Sequence, residues 1–348
     1  LEIYKHTRRI TFKVFLDEIF RYEETKNVIN ILLANIGLSA YEIAALSAVV
    51  FYREYILDPG YYPMGGMQAF SNILSKKFEE FGGRLILSSK VEKIIMKSNK
   101  VYGVIVNRRI INSNIVVSNV DAIQTFKRLL RIKSKESKII DRLIPSPSIF
   151  AIYLGLKDDF KNIINETCCV WYSSTKCLSH SFVYSPKRRI IPVIMVSFPS
   201  FHDKDCYSKR RSVMEIFTVA SYNTTSVWNK YKFSLCDLLL KKVEKKVIGR
   251  SIQEYIFIKE VATPIVFYKY TLSRKGAVFG WASTVDQINI SLCPQKTSIE
   301  GLFLVGNWTT VGSGQGGVPK VAYTGRKGAK LILENIGKKW QYDIFNIL

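Results

Sequence analysis

The residues best suited to chemistry in this chain are glycines. Gly306, Gly312, Gly314, Gly316 and Gly317 crowd the C-terminal run GLFLVGNWTTVGSGQGGVPKVAYTGRKGAKLIL (301–333), and Gly65 and Gly66 interrupt YYPMGGMQAF (61–70). The longer run reads as an apolar strand, a loop, and a helix opened by Pro319. Where side chains are absent, backbone amides can approach an anionic or electron-rich ring, and a helix N-terminus adds partial positive charge. The chemistry expected is the holding of a large cofactor. An ordinary wide turn is the plainer alternative.

Gly312, Gly314 and Gly317 also satisfy G-x-G-x-x-G. A dinucleotide fingerprint of that form opens a βαβ unit of about 30 residues, with an acid about 20 further on. Residues 318–348 offer no clear second strand, so the loop is expected to close a domain rather than open one. No other constellation competes. The six cysteines (Cys168, Cys169, Cys177, Cys206, Cys236, Cys293) form no C-x-x-C pair, and His6, His180 and His202 are the three histidines that could join them. No metal site is expected, and the thiols should be reduced and mostly buried. His180, His202, Glu42 and Glu260 are isolated titratable residues of the kind that is usually structural, and no catalytic base is assigned.

A chain of 348 residues, 47% hydrophobic, can bury a substantial core as two domains or as one with an insertion. The formal charge of +23, from 51 basic and 28 acidic residues, raises nucleic acid or an anionic membrane as a partner. The cations are dispersed, in separate groups such as Lys187–Arg189, Lys209–Arg211 and Lys241–Lys246. They read as solvated faces, so no nucleic acid is expected, while an anionic membrane surface stays open. LEIYKHTRRITFKVFL lacks the apolar core of a signal peptide, which gives a cytoplasmic expectation with peripheral membrane association as its alternative. The first residue is Leu rather than Met, as expected of a sequence that starts inside a longer reading frame.

The elements that must position the glycines follow from periodicity. Residues 28–52 approach a membrane span, but Gly37 reads as a helix stop and Ser39-Ala-Tyr-Glu42 as a capping box, predicting two apolar helices at about 25–36 and 40–55. That pair is core, the wall of a greasy tunnel, or a membrane-resting surface. Met67, Phe70, Leu74 and Phe78 predict a helix over 67–81 that stops at Gly82-Gly83. Strands are expected at 84–87, 91–96, 101–106 and 114–119, with a turn at Ser98-Asn99-Lys100. Further strands are expected at 149–156, 190–198 and 254–264, around a polar helical stretch at about 206–250.

In this order the pieces resemble the FAD-dependent phytoene desaturase and carotenoid isomerase family, relatives of the amine-oxidase-type flavoproteins. The resemblance rests on Tyr62-Pro63-Met64-Gly65-Gly66-Met67, the Gly82-Gly83 helix end leading to Val91 and Ile94, Val101-Tyr102-Gly103-Val104, Val116-Val117-Ser118-Asn119, Ala262-Thr263-Pro264 and the closing glycine loop, collinear over about 330 residues. It implies an α/β (α+β) fold: an incomplete FAD-binding Rossmann-like domain with an inserted substrate domain of antiparallel sheet and helices. The expected boundaries are 1–60 for a helical substrate- or membrane-facing region, 61–144 for the partial FAD-binding domain, 145–290 for the substrate domain, 291–335 for the return to the first domain, and 336–348 for a tail.

The resemblance implies FAD as cofactor and an apolar isoprenoid or carotenoid-like substrate, desaturated by hydride transfer or isomerised. A saturase, an amine oxidase, an inactive remnant and a basic membrane- or nucleic-acid-binding protein are the alternatives. In such flavoproteins the segment matching Val91 bonds the adenine end through its main chain, and Gly65 and Gly66 let the backbone near the flavin. Gly306-Asn307 matches a Gly-Asp whose acid holds the ribityl or pyrophosphate region, so Asn307 is a departure. Its amide can still donate to and accept from hydroxyls. Gly314, Gly316, Gly317, Val318 and Pro319 match the segment that brings backbone amides to the flavin N1 and C2 carbonyl edge, where positive dipole stabilises the reduced ring. The strand, G-x-G-x-x-G turn and ribose-binding acid that open this family have no counterpart here. Residues 1–348 alone are therefore expected to bind FAD weakly or not at all, with the missing segment carried on another polypeptide, lost, or absent from the sequence.

Overall fold

The computed structural model describes residues 2–58, 61–157, 160, 169–173, 182–186, 190–201, 211–289, 294–309 and 317–338. Three short helices come first: α1 (Glu2–Thr7), α2 (Phe12–Ile19) and α3 (Glu23–Ile31), the last running into a tight turn over Leu32–Asn35. Gly37 ends it with φ +77° and its N–H on Leu33 O at 3.1 Å, as the helix-stop reading expects. The capping box behaves differently. Glu42 accepts from the Ser39 N–H at 3.0 Å and from Ser39 Oγ at 2.9 Å, yet this closes a turn rather than starting a helix. Ile43 and Ala44 are drawn into bridges with Thr284 and Thr11, so α4 (Ala45–Tyr52) begins at residue 45, not 40. Long-range backbone partners override the local cap.

Helix α5 (Gly66–Glu80) ends as expected, with Gly82 at φ +81° and the Gly83 N–H on Phe78 O. Its Met67, Phe70, Leu74 and Phe78 stripe is exposed rather than core. The expected strand at 84–87 does not form. Leu85, Ile86 and Leu87 are exposed, and no strand among the described residues pairs with them.

Strands β1 (Val91–Lys97), β2 (Lys100–Val106) and β3 (Arg109–Asn112) make an antiparallel meander; Ser98 and Asn99, both at positive φ, form the first tight turn. β4 (Val116–Ser118) leads through α6 (Lys135–Arg142) into the main antiparallel sheet: β5 (Ser148–Lys157), β6 (Cys169–Ser173), β7 (Val193–Ser197) and β8 (Arg211–Ala220). Then come α7 (Thr225–Val243), β9 (Ile256–Ala262), α8 (Pro264–Thr271) and α9 (Val285–Ile288). β10 (Leu302–Leu304) and α10 (Val318–Asn335) close the described chain.

The order in the main sheet is β6-β7-β8-β5-β9. The predicted helical stretch 206–250 therefore opens with a ten-residue strand: RSVMEIFTVA alternates, burying Met214 and Ile216 on one face, and α7 starts only at Thr225. One face of the sheet packs Phe150, Ile152, Leu154, Ile194 and Val196 on the α7 side chains Leu235, Leu239 and Val243. The other face turns Val193 and Val219 toward Phe12, Leu33 and Ile43 of the helical layer. A third cluster, with Ile94, Val101, Phe126, Leu302 and Trp281, lies under the meander and β10.

Candidate functional site

The site grows from one strand pair. β10 lies parallel to β4, Leu302 beside Val116 and Leu304 beside Ser118, and the Val305 N–H continues the ladder to Ser118 O at 3.0 Å. Ligands of parallel sheets sit in the crevice outside the carboxyl ends of the strands, and here those ends are Ser118-Asn119 and Val305-Gly306-Asn307. Gly306 has φ +89°, and a Cβ there would lie 2.0 Å from Asn119 Oδ1. Only glycine lets the two strand ends meet this closely.

Helix α10 is fastened to the same point. The Gly306 N–H donates to Thr324 Oγ1 at 2.8 Å, and Gly328 packs so tightly that a Cβ would lie 2.5 Å from Val305 Cγ1. Lys320, Thr324 and Gly328 recur every four residues, so they share one face of the helix. That face is turned to the Val305-Gly306 corner. Gln295 reinforces the joint, donating from Nε2 to Thr324 O at 2.6 Å. Lys320 is buried, and burial lowers its ammonium pKa to about 8.

Asn307 is held from behind. A Cβ at Gly280 (φ +78°) would lie 2.6 Å from Asn307 O, while Trp281 Nε1 donates to Trp308 O at 3.1 Å with the two indoles edge to face. Among the described residues the buried Asn307 Oδ1 has no hydrogen-bond partner. Gly317, at φ +73° before α10, has nothing within 4 Å of where a Cβ would stand. An unused acceptor at the strand end fits a ligand that brings hydroxyl donors.

Of the residues singled out from sequence, the structure joins Gly306, next to Asn307, to α10, which Gly317, Val318 and Pro319 open. Gly314 and Gly316 lie outside the described residues, as do Gly312, His180 and His202. Val91 begins β1 and lines a cleft of about 700 Å³ with Lys90, Glu92, Val120 and Arg128; Val120 follows the Ser118-Asn119 strand end, so this cleft runs toward the crevice. Asp121, just beyond, accepts the N–H groups of Ile123 at 2.8 Å and Arg274 at 2.6 Å, and burial raises its carboxyl pKa. Gly65 and Gly66 form the turn into α5 with φ near +80°, and the Gly66 N–H bonds within that turn, to Pro63 O at 3.0 Å. Glu42 is a turn-closing acceptor, and Glu260 stands exposed on β9.

Gly280, Lys320 and Thr324 are the site residues that sequence reasoning passes over, and Asn119 enters it only as the end of the Val116–Asn119 match. The repeat of Thr324 and Gly328 on one helical face was the available signal.

Two apolar spaces adjoin this frame. One, about 190 Å³, lies between the helical layer and the main sheet, walled by Asn35, Ile149, Met195, Phe217, Val219 and Phe279. Phe279 directly precedes Gly280, so this cavity abuts the backbone that supports Asn307. The other, about 700 Å³, is a groove among α2, α3 and α4 lined by residues such as Phe15, Ile19, Val28, Tyr52 and Leu57. No helix among the described residues is long and apolar enough to cross a membrane, and none of them forms a cluster of metal-ligating side chains.

No protein-family profile matches the chain. It is 27% identical over 299 residues to the chloroplastic prolycopene isomerase of Daucus carota, covering 82% of this chain and 46% of that protein. It is 24% identical over 289 residues to the lycopene-forming phytoene desaturase of Pseudescherichia vulneris, covering 79% and 56%. The chain thus spans about half the length of the curated relatives it matches. Among solved structures, an oxidoreductase from Methanosarcina mazei superposes with a TM-score of 0.64 at 17% identity, over 93% of this chain and 70% of that one. Cyclohexylamine oxidase from Brevibacterium oxydans superposes with a TM-score of 0.55 at 12% identity, over 96% and 69%. By sequence this chain is similar to carotenoid desaturases and isomerases, and it shares its fold with solved oxidoreductases such as cyclohexylamine oxidase.

Proposed function

We propose that this chain supplies the ring-contacting and substrate-contacting parts of an FAD-dependent oxidoreductase acting on an apolar polyisoprenoid of the carotenoid-precursor class. The reaction is removal of hydride from the hydrocarbon chain or a redox-neutral shift of a double bond. The observation that carries this reading is the apolar cavity of about 190 Å³ lined by Phe279, the residue before Gly280, which puts space for one segment of a hydrocarbon chain next to the candidate cofactor crevice.

The unpartnered Asn307 Oδ1 and the open approach at Gly317 fit FAD. Asn307 would accept from its hydroxyls, Val91 would bond its adenine end through the main chain, and Gly314, Gly316, Gly317, Val318 and Pro319 would bring backbone amides and the positive end of α10 to the ring edge. Gly65 and Gly66 are assigned to a second backbone approach. When bound, FAD supplies the two-electron acceptor. The chain orients the polyene along the sheet face walled by Ile149, Met195 and Phe217 and keeps water from it. No residue is assigned as a base.

The test is pigment chemistry. The chain is expressed in its natural reading frame in cells that accumulate phytoene or prolycopene, and carotenoids are extracted. New or isomerised polyenes are expected, and they should disappear with Met195→Trp, which fills the cavity. An unchanged pigment profile beside correctly folded protein would sink the reading. The groove among α2, α3 and α4, with exposed Ile19, Val28, Ile56 and Leu57 at its rim, favours entry of substrate from a lipid surface. Co-flotation with phosphatidylglycerol vesicles tests that part.

A further inference from the structure

The apolar cavity between the helical layer and the main sheet has one unsatisfied polar side chain in its wall. Ile149, Met195 and Phe217 line it from the sheet, and Asn35 lines it from the tight turn that follows α3. The Asn35 Nδ2 is buried and has no hydrogen-bond partner among the described residues. Thr218, which also lines the cavity, already gives its hydroxyl proton to Val193 O at 2.8 Å. An amide donor left unpaired in such a place costs about 1–3 kcal/mol unless something brings it an acceptor.

Backbone contacts hold Asn35 at this wall. The Ile36 N–H bonds Leu33 O at 2.8 Å, the Gly37 N–H bonds the same oxygen at 3.1 Å, and a Cβ on Gly37 would lie 3.1 Å from Phe279 Cε2. The turn that carries Asn35 therefore packs on Phe279, which lines the same cavity and directly precedes Gly280. Water is a poor partner for the amide, since a buried water makes about three hydrogen bonds and this wall is otherwise apolar or already bonded. The cavity, about 190 Å³, is larger than the roughly 150 Å³ that holds a benzene ring in a dry protein interior, so one isoprenoid segment fits. A carbonyl oxygen on that segment accepts from Nδ2 and brings no donor of its own. A hydroxyl oxygen accepts as well, but its O–H is then left facing hydrocarbon.

We propose that Asn35 is a specificity-determining residue of the cavity: its Nδ2 donates to a carbonyl oxygen on the hydrocarbon lodged there, so that the cavity selects isoprenoids bearing a ketone or aldehyde over the matching alcohols. The inference rests on reading the cavity as part of the substrate site. No bond is made or broken at Asn35, which binds and orients. Because the same turn packs on Phe279, the bonded oxygen sets which carbon of the chain lies toward Gly280 and the crevice.

The test uses three eight-carbon isoprenoid probes of one skeleton, the ketone methylheptenone, the alcohol methylheptenol and the hydrocarbon methylheptene, titrated into the purified chain. The readout is the methyl-carbon resonance of isotope-labelled Met195, which lines the cavity and is assigned with Met195→Leu. Methylheptenone is expected to bind about tenfold more tightly than methylheptenol. Asn35→Leu should weaken the ketone about tenfold relative to methylheptene and abolish its preference over the alcohol. Asn35→Asp, which exchanges the donor for an acceptor, should turn the preference toward the alcohol at pH 7 even if the leucine variant folds poorly. Equal binding of ketone and alcohol, tighter binding of the alcohol by the parent chain, or a ketone preference that survives either substitution overturns the carbonyl subsite and leaves the apolar cavity standing. A Met195 methyl that none of the three probes shifts overturns the cavity reading and the subsite with it.

Discussion

Gly280 and Asn307 meet back to back: a Cβ on the first would stand 2.6 Å from the main-chain oxygen of the second. The contact locks the wall of the apolar cavity to the crevice. Gly280→Ala should therefore cost roughly 1–3 kcal/mol, combining the strain of φ +78° with a displaced Asn307. Gly249 provides the control, since it has φ +86° but nothing within 4 Å. Gly249→Ala should cost only the ~1 kcal/mol of backbone strain. Chemical denaturation of both variants decides the matter, and equal losses would show that the contact yields.

Thr324 ties α10 to the strand end through the Gly306 N–H at 2.8 Å. Thr324→Val keeps the shape and removes the acceptor, leaving a buried N–H unpaired at a cost of about 1–3 kcal/mol. Thr324→Ser should restore most of the lost stability. A valine variant as stable as the parent would show that this joint is dispensable.

Lys320 offers a pH signature. Its folded pKa is lowered from 10.5 to about 8, so the unfolded chain binds more protons between those values, and the native state gains stability as pH rises through that window. Below pH 8 both states are protonated and the burial cost is felt in full. Lys320→Met should stabilise the chain at pH 7, by at most ~3 kcal/mol, with the advantage fading toward pH 10.5. Thermal unfolding between pH 7 and pH 10.5 measures it, and a constant difference would contradict the assignment.

Glu136 behaves in the opposite sense. Burial pushes its carboxyl upward, but the Ser298 N–H at 2.6 Å and Ser298 Oγ at 2.9 Å outweigh that and hold it below the usual range. Its contribution is present above the unfolded carboxyl pKa and is lost as pH falls through the folded value. Glu136→Gln should therefore destabilise at pH 7 by about 1–2 kcal/mol, with the difference shrinking as pH falls below the usual carboxylate range. Melting curves across that range are the check.

Local chemistry made much of the frame legible. Positive-φ turn residues Ser98 and Asn99 announce the β1–β2 hairpin, Gly82-Gly83 the end of α5, and Pro319 the start of α10. Gly306-Asn307 could be found because a glycine after an apolar strand has few other reasons to be there. What sequence hid was decided at a distance. Ser39-Glu42 has the pattern of a helix start, but the backbones of Thr11 and Thr284 claim the next residues for bridges. RSVMEIFTVA, set among polar helical residues, becomes β8 because β5 and β7 flank it. Residues 84–87 had the composition of a strand without a neighbour to pair with. The Gly280–Asn307 contact involves segments whose spacing along the chain carries no trace of their proximity.

The pairing of β4 with β10 has a kinetic corollary. Val116 and Leu302 can find each other only after everything between them, the whole main sheet included, has collapsed enough to bring the two ends within reach. The crevice is thus assembled late. Damage far away, in the packing of α7 on the sheet, should surface first as slow or incomplete maturation of the ligand-receptive state, long before the finished fold itself grows weak.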